Sequence, residues 1–301
     1  MAGAARPLAN DAAPTADPAK TWRRVIDISF PPTGFVCASS IARGRARSKP
    51  SRVRRCDPRG LFVKWAMSQH IGIVACSAEG AALCYRTICV EGASLYGAHA
   101  HPEVSMHTPS FADYMAPIYR DDWPRVAELM LASAEKLKKA GADFLICPDN
   151  TIHQALPHVL PRSPLPWLHI AEVVAAEAVA RGFRRIGVTG TRWLVDSEVY
   201  PEKLAARGLA YLRPSLAERD ACNRIIMDEL VRSTFTPESV AYFQQVIGRL
   251  KDGGCDAVVL GCTEIPLIIN DANSPLPTLD STRLLAHAAL KRAAEEKAMA
   301  A

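Results

Sequence analysis

The sequence predicts an α/β protein built from two similar parallel-sheet domains, related by a pseudo-twofold axis and enclosing one active-site cleft. Three observations carry this expectation. From residue 70 onward, apolar strand-like runs alternate with helical patterns. The segment GADFLICPDNTIH at 141–153 aligns without gaps on GCDAVVLGCTEIP at 254–266, and HIGIVAC at 70–76 aligns on RIGVTGT at 185–191. The two alignments have offsets of 113 and 115 residues, so the copies are almost equal in length.

Each copy reads as strand, polar turn, helix, strand, helix, strand, polar turn, helix. The opening strands are the runs that begin at Ile71 and Ile186. The long helices in the middle have matching apolar stripes: Val126, Leu129, Met130 and Leu137 in one, Val240, Phe243, Ile247 and Leu250 in the other. Both begin with a cap signal, Asp122 ahead of Pro124 and Thr236 ahead of Pro237. The third strand of each copy follows Gly141-Ala-Asp143 or Gly254-Cys-Asp256. The first domain is expected over 67–168, completed by a C-terminal helix at 278–301, and the second over 169–277.

The 301 residues carry a formal +5, which divides unevenly. Residues 1–66 hold 13 basic and 4 acidic residues, while residues 67–301 hold 23 and 27. The basicity is therefore local, and it argues against a nucleic-acid-binding protein. The Ala/Pro-rich start and the Arg-rich run at 42–59 cannot bury enough apolar surface to offset chain entropy, so 1–66 is expected to be a disordered basic extension. A targeting segment, a basic arm, a regulatory extension and a start codon misassigned ahead of Met67 are the readings open for it. No stretch has the uninterrupted apolar length of a membrane span, and no signal peptide is evident. Nine scattered cysteines without a CxxC pair point to reduced thiols and a cytoplasmic setting. His99, His101 and His107 lie close in sequence but have no carboxylate or thiol at ligand spacing, so no metal site is expected.

Ligands of open parallel sheets bind beyond the carboxyl ends of the strands. The repeat places Asp149, Asn150 and Thr151 opposite Cys262, Thr263 and Glu264 at such ends. The upper turns add Cys76-Ser77 and Thr191-Arg192, and His153 lies one turn beyond Asn150. If helices follow these turns, their N-termini would favour a carboxylate ligand, lower the Cys262 thiol pKa and hold Asp149 ionised. Two acid–base groups on opposite faces of one carbon would racemise it. Asp149 could instead serve as a helix cap, and Cys262 as a buried structural thiol. Cys147 is a weaker alternative base, and Arg192 and Arg232 are the available cations for a substrate side-chain carboxylate.

The motif GCTEIPL at 261–267, with NTIH at 150–153, resembles the aspartate/glutamate racemase superfamily; 190–209 and 101–114 are similar to other stretches of its amino-acid racemases. The resemblance covers about residues 70–290. It implies a cofactor-independent, metal-free racemase of aspartate, glutamate or a related amino acid, with a homodimer as the expected assembly. It also implies that Cys262 is one of two opposed bases, and that Asn150, Thr151 and Thr263 bind substrate, with Glu264, Ser77, Thr191 and His153 as further binding candidates. The first cysteine of the family falls at Asp149 here. That substitution leaves three outcomes: an Asp/Cys two-base racemase, a single-cysteine decarboxylase, lyase or isomerase of a small carboxylic acid, or a non-catalytic carboxylate-binding protein.

Overall fold

A computed structural model describes residues 68–295. The expected extension at 1–66 and residues 296–301 at the end of the expected closing helix lie outside the described residues. The first half contains β1 (Ile71–Val74), α1 (Ala78–Glu91), α2 (Ala93–Tyr96), β2 (Val104–His107), α3 (Phe111–Ile118), α4 (Trp123–Lys139), β3 (Phe144–Ile146), α5 (Leu156–Val159) and β4 (Trp167–Leu168). The second contains α6 (Ile170–Ala180), β5 (Arg185–Thr189), α7 (Arg192–Val195), α8 (Val199–Ala205), β6 (Ala210–Leu212), α9 (Leu216–Asp228), α10 (Pro237–Asp252), β7 (Ala257–Leu260) and β8 (Thr278–Asp280), and the chain closes with α11 (Ser281–Ala293). Residues 278–280, expected in the closing helix, instead form the last strand of the second sheet, with Asp280 capping α11.

The internal repeat is visible as topology. The first sheet has the order β2-β1-β3-β4 and the second β6-β5-β7-β8. Every neighbouring pair is parallel, with Ile71 beside Val104 and Phe144 in one sheet and Ile186 beside Tyr211 and Ala257 in the other. The repeated aspartates explain the matching register. Asp143 Oδ2 accepts from the His70 amide at 2.7 Å, and Asp256 accepts from the Arg184 and Arg185 amides at 2.8 and 3.1 Å. Each carboxylate ties the entry of a third strand to the entry of the first. Gly141 and Gly254 precede them with φ of +95° and +83°, a region in which a side chain would be strained.

The two long helices begin where their caps predict. Asp122 accepts from the Arg125 amide at 3.0 Å, and Thr236 from the Ser239 amide at 3.1 Å. Val126, Met130 and Leu137 are buried on α4, as are Phe243, Ile247 and Leu250 on α10. Each sheet is covered on both faces, which is why its inner strands read as continuous apolar runs. α11 returns to the first half, where Leu285, Ala286, Ala289 and Leu290 pack with Ile71, Ile73, Cys84 and Ile88.

Because all strands of a sheet run the same way, the turns after β1, β3, β5 and β7 all lie at carboxyl ends. Gly80, on α1, shows how closely these ends approach. A Cβ there would stand 2.4 Å from Thr263 Cγ2 and 2.8 Å from the Pro148 carbonyl oxygen. Gly80→Ala is therefore expected to cost about 1–3 kcal/mol by overpacking. Gly248→Ala, on α10 where a Cβ would meet nothing within 4 Å, should instead stabilise by about 0.5–1 kcal/mol. Urea melts of the two variants check the contrast; equal midpoints would show that the turn at Thr263 has slack.

Candidate active site

The four turns meet through side-chain hydroxyls. Ser77 caps α1, accepting from the Gly80 amide at 3.4 Å, and its Oγ lies 3.2 Å from Thr263 Oγ1. Thr191 caps α7, accepting from the Leu194 amide at 3.3 Å, and its Oγ1 lies 2.9 Å from Thr151 Oγ1. One bridge joins the first half's upper turn to the second half's lower turn, and the other joins the converse pair. Asn150 adds a third tie: its Oδ1 accepts from Tyr200 OH at 2.7 Å, and its Nδ2 donates to Ser281 Oγ at 2.9 Å. These ties enclose a cleft with about 480 Å³ of empty space, its open mouth included.

Cys262, Thr263, Glu264, Asp149, Asn150, Thr151, Ser77 and Thr191 all line this cleft. Cys262 Sγ donates to Glu264 Oε2 at 2.9 Å, and Thr263 Oγ1 donates to the same oxygen at 2.7 Å. Since the Thr263 proton is committed to Glu264, Ser77 must donate in the Ser77–Thr263 bridge, and both protons of that pair are used. The Thr151–Thr191 pair differs. It holds two protons and uses one internally, which leaves one to point at a ligand oxygen.

Cys76 also lines the cleft, and its thiol is near enough to the Asp149 carboxylate for the two to shift each other's proton affinity. In the sequence Cys76 stands at an upper turn with no role expected of it. The signal was its alignment with Thr191, which puts a thiol opposite a hydroxyl at equivalent places in the repeat. Each half therefore presents one thiol beside one carboxylate, Cys76 with Asp149 and Cys262 with Glu264.

The expected helices after the two lower turns are short 3₁₀ turns, Thr151–Ala155 and Ile265–Leu267. Burial, not a helix dipole, dominates the electrostatics there, so the thiol expectation reverses. Burial pushes the Cys262 thiol well above its usual range, and the Glu264 and Asp149 carboxylates push the same way. The Cys76 thiol is raised by burial and then by Asp149. Burial raises the Asp149 carboxyl to about 6; Glu264 adds to the rise, while the Ile152 and Thr151 amides and the Cys76 thiol oppose it. Asp149 thus combines both readings made for it, since Oδ1 caps the Ile152 amide at 3.3 Å while the residue faces the cleft.

Other candidates lie elsewhere. His153 does not line the cleft. Its Nε2 accepts from the Ile170 amide at 3.2 Å, so Nδ1 carries the proton and donates to the Asp149 carbonyl at 2.7 Å. Burial holds this imidazole neutral, and the ring supports the backbone of the Asp149 turn. Cys147 is in the first-half core, not on the cleft, because β3 ends at Ile146 and strand alternation stops there. Arg192 and Arg232 are exposed and do not line the cleft; the Arg192 guanidinium lies over the Trp193 ring, 5.2 Å from its centroid. The remaining wall is apolar: Phe111, Met115 and Ile118 from α3, with Trp193, Ile226, Met227 and Val231 from the second half. Among the described residues, no group of three or more His, Cys, Asp or Glu is placed to hold a metal ion. No helix among them is long and apolar enough to cross a membrane.

The family model for Asp/Glu/Hydantoin racemases matches residues 73–289. The broad specificity amino-acid racemase RacX of Bacillus subtilis (strain 168) is 25% identical over 198 residues, which cover 64% of this chain and 83% of that protein. A crystal structure of a candidate Asp/Glu racemase from Yersinia pestis superposes with a TM-score of 0.69 at 29% identity, covering 75% of this chain and 99% of that one. An aspartate racemase homologue from Pyrococcus horikoshii OT3 shares the fold, with a TM-score of 0.66 at 24% identity, covering 75% of this chain and all of that one.

The raised Asp149 carboxyl links protonation to stability. Its folded pKa exceeds the unfolded value, so its favourable contribution is complete below about pH 4 and lost as pH rises through about 6. Asp149→Asn is expected to melt higher than the parent at pH 7.5, by about 1–3 kcal/mol, with the gap closing between pH 6 and pH 4. Thermal melts across that range check it; a gap independent of pH would place the effect in packing instead.

Proposed function

The chain belongs to the Asp/Glu/Hydantoin racemase family, and on that footing we propose that it is an isomerase that interconverts the enantiomers of an amino acid by cofactor-independent proton transfer at Cα. The carrying observation is the pair of thiol–carboxylate groups, one from each half, on the walls of a single cleft. Racemisation needs a proton acceptor on one face of a carbon and a donor on the other, and either group must be able to exchange roles.

The steps follow from the hydrogen bonds. On the second-half side, Glu264 takes the Cys262 proton as Cys262 Sγ takes the Cα proton. The Cα carbanion then receives a proton on its opposite face from the first-half side, where Asp149 is the acid–base group and the Cys76 thiol is its partner. In the reverse direction Asp149 accepts and Cys262 donates. Burial makes a free thiolate costly, and that same cost makes it a strong base at the moment it forms. The free hydroxyl proton of the Thr151–Thr191 pair suits the α-carboxylate, with Asn150 beside it. The ammonium group suits the acidic side of the cleft at Asp149 and Glu264. Thr263 and Ser77 act chiefly in orienting Glu264.

The test is incubation with single enantiomers in D₂O. Loss of optical rotation together with deuterium at Cα is expected; the direction in which Asp149 accepts should fall off below about pH 6, where Asp149 holds a proton, and the direction in which it donates should fall off above it. Cys262→Ser should lower kcat at least ~100-fold, in the range for a lost acid–base group. Asp149→Asn should do the same. If Asp149→Asn spares turnover while Cys262→Ser abolishes it, the single-cysteine decarboxylase, lyase or isomerase reading replaces this one. Stabilisation by dicarboxylates with no turnover of any amino acid would point to a carboxylate-binding protein.

A further inference from the structure

The walls of the cleft bear on the side chain of the substrate, which the racemase reading leaves open; the inference rests on that reading for its site. Hydroxyls, thiols and carboxylates gather at the four turns. Facing them, Phe111, Met115 and Ile118 sit at i, i+4 and i+7 on α3 and form one apolar face. Trp193, Ile226 and Met227 supply the matching apolar surface from the second half. We infer that the substrate is an amino acid with a neutral, apolar side chain, and not aspartate or glutamate.

The charge inventory decides between the two classes. Among the described residues the only charged side chains in the cleft wall are Asp149 and Glu264, and both are acids. Among the described residues, no lysine, arginine or histidine lines it. Any amino acid brings one ammonium and one α-carboxylate, which the acids and the Thr151–Thr191 hydroxyls can meet. Aspartate or glutamate brings a second carboxylate, which would meet an apolar wall with no cation in its lining and two like charges nearby. An ionised carboxylate buried without a partner is among the least favourable groups in a protein interior. An apolar side chain in the same place gains from leaving water. The two arginines that could have served a side-chain carboxylate are exposed and outside the cleft, Arg192 over Trp193 and Arg232 at the end of the Leu230–Arg232 turn.

The experiment is a panel of single enantiomers of leucine, methionine, phenylalanine, alanine, aspartate and glutamate with the full chain in D₂O. Two readouts run together, Cα deuteration and thermal stabilisation by each amino acid. Leucine, methionine or phenylalanine should be turned over with kcat/KM at least ~100-fold above aspartate and glutamate, and alanine should fall ~10-fold or more below the best of them. Met227→Arg places a cation in the wall at a partly exposed position and should raise the glutamate-to-leucine ratio at least ~10-fold. If that variant fails to fold, Met115→Arg, on the facing wall, takes its place. Turnover or stabilisation by glutamate or aspartate equal to or better than leucine overturns the inference and leaves the racemase reading standing. Stabilisation by leucine without any Cα deuterium overturns the racemase reading and supports the side-chain assignment. Neither stabilisation nor exchange with any member of the panel overturns both.

Discussion

Two hydroxyl bridges, Ser77 to Thr263 and Thr151 to Thr191, hold the carboxyl ends of two parallel sheets face to face. The rest of the site depends on them. A parallel sheet leaves the turns at its carboxyl end as a ring of outward-facing polar groups. Apposing two such ends turns those rings into the walls of one enclosed space. The approach is close enough that Gly80 has no room for a Cβ. The bridges are also where the pseudo-symmetry is most literal, since the same hydroxyl contact occurs once in each direction between the halves.

That enclosure sets the chemistry. In water, an aspartate and a thiol differ by roughly 4–5 units in proton affinity. Inside the cleft, burial raises the Asp149 carboxyl and raises the thiols as well, while Glu264 accepts a hydrogen bond from Cys262 and Asp149 lies beside Cys76. A carboxylate beside each thiol allows a proton to be lost or gained on either side without a fully exposed charge. The cost of holding these groups out of water is paid by the cores of the two halves, which pack both faces of each sheet.

The surrounding scaffold works by fixing backbone, not by adding reactive groups. His153 spends both ring nitrogens on main-chain partners, which pins the Asp149 carbonyl. Tyr200 and Ser281 saturate much of Asn150, and Ser281 in turn donates to the Leu260 carbonyl just before Gly261. The second half thereby orients a first-half turn, and the site exists only when both halves are docked.

Much of this was legible in the chain. The repeat, the two sheets, the long helices with their caps and the polar turns at strand ends follow from local periodicity, and local periodicity is what backbone geometry imposes on sequence. Eight of the candidate site residues sit where strand-end logic puts them, in the cleft wall. Three features were decided by tertiary structure alone. His153 is a buried supporting residue because a neighbouring helix start, Ile170, supplies its second partner. The Cys262 thiol is raised because a 3₁₀ turn provides little dipole while burial and Glu264 act at short range. The apolar wall opposite the turns combines α3 with α7, α9 and Val231, segments separated by about 75–120 residues, and no period in the sequence records which face of one helix will meet which face of another. Periodicity fixes what each segment buries; only packing between segments determines which residues share a cavity and what charge that cavity can hold.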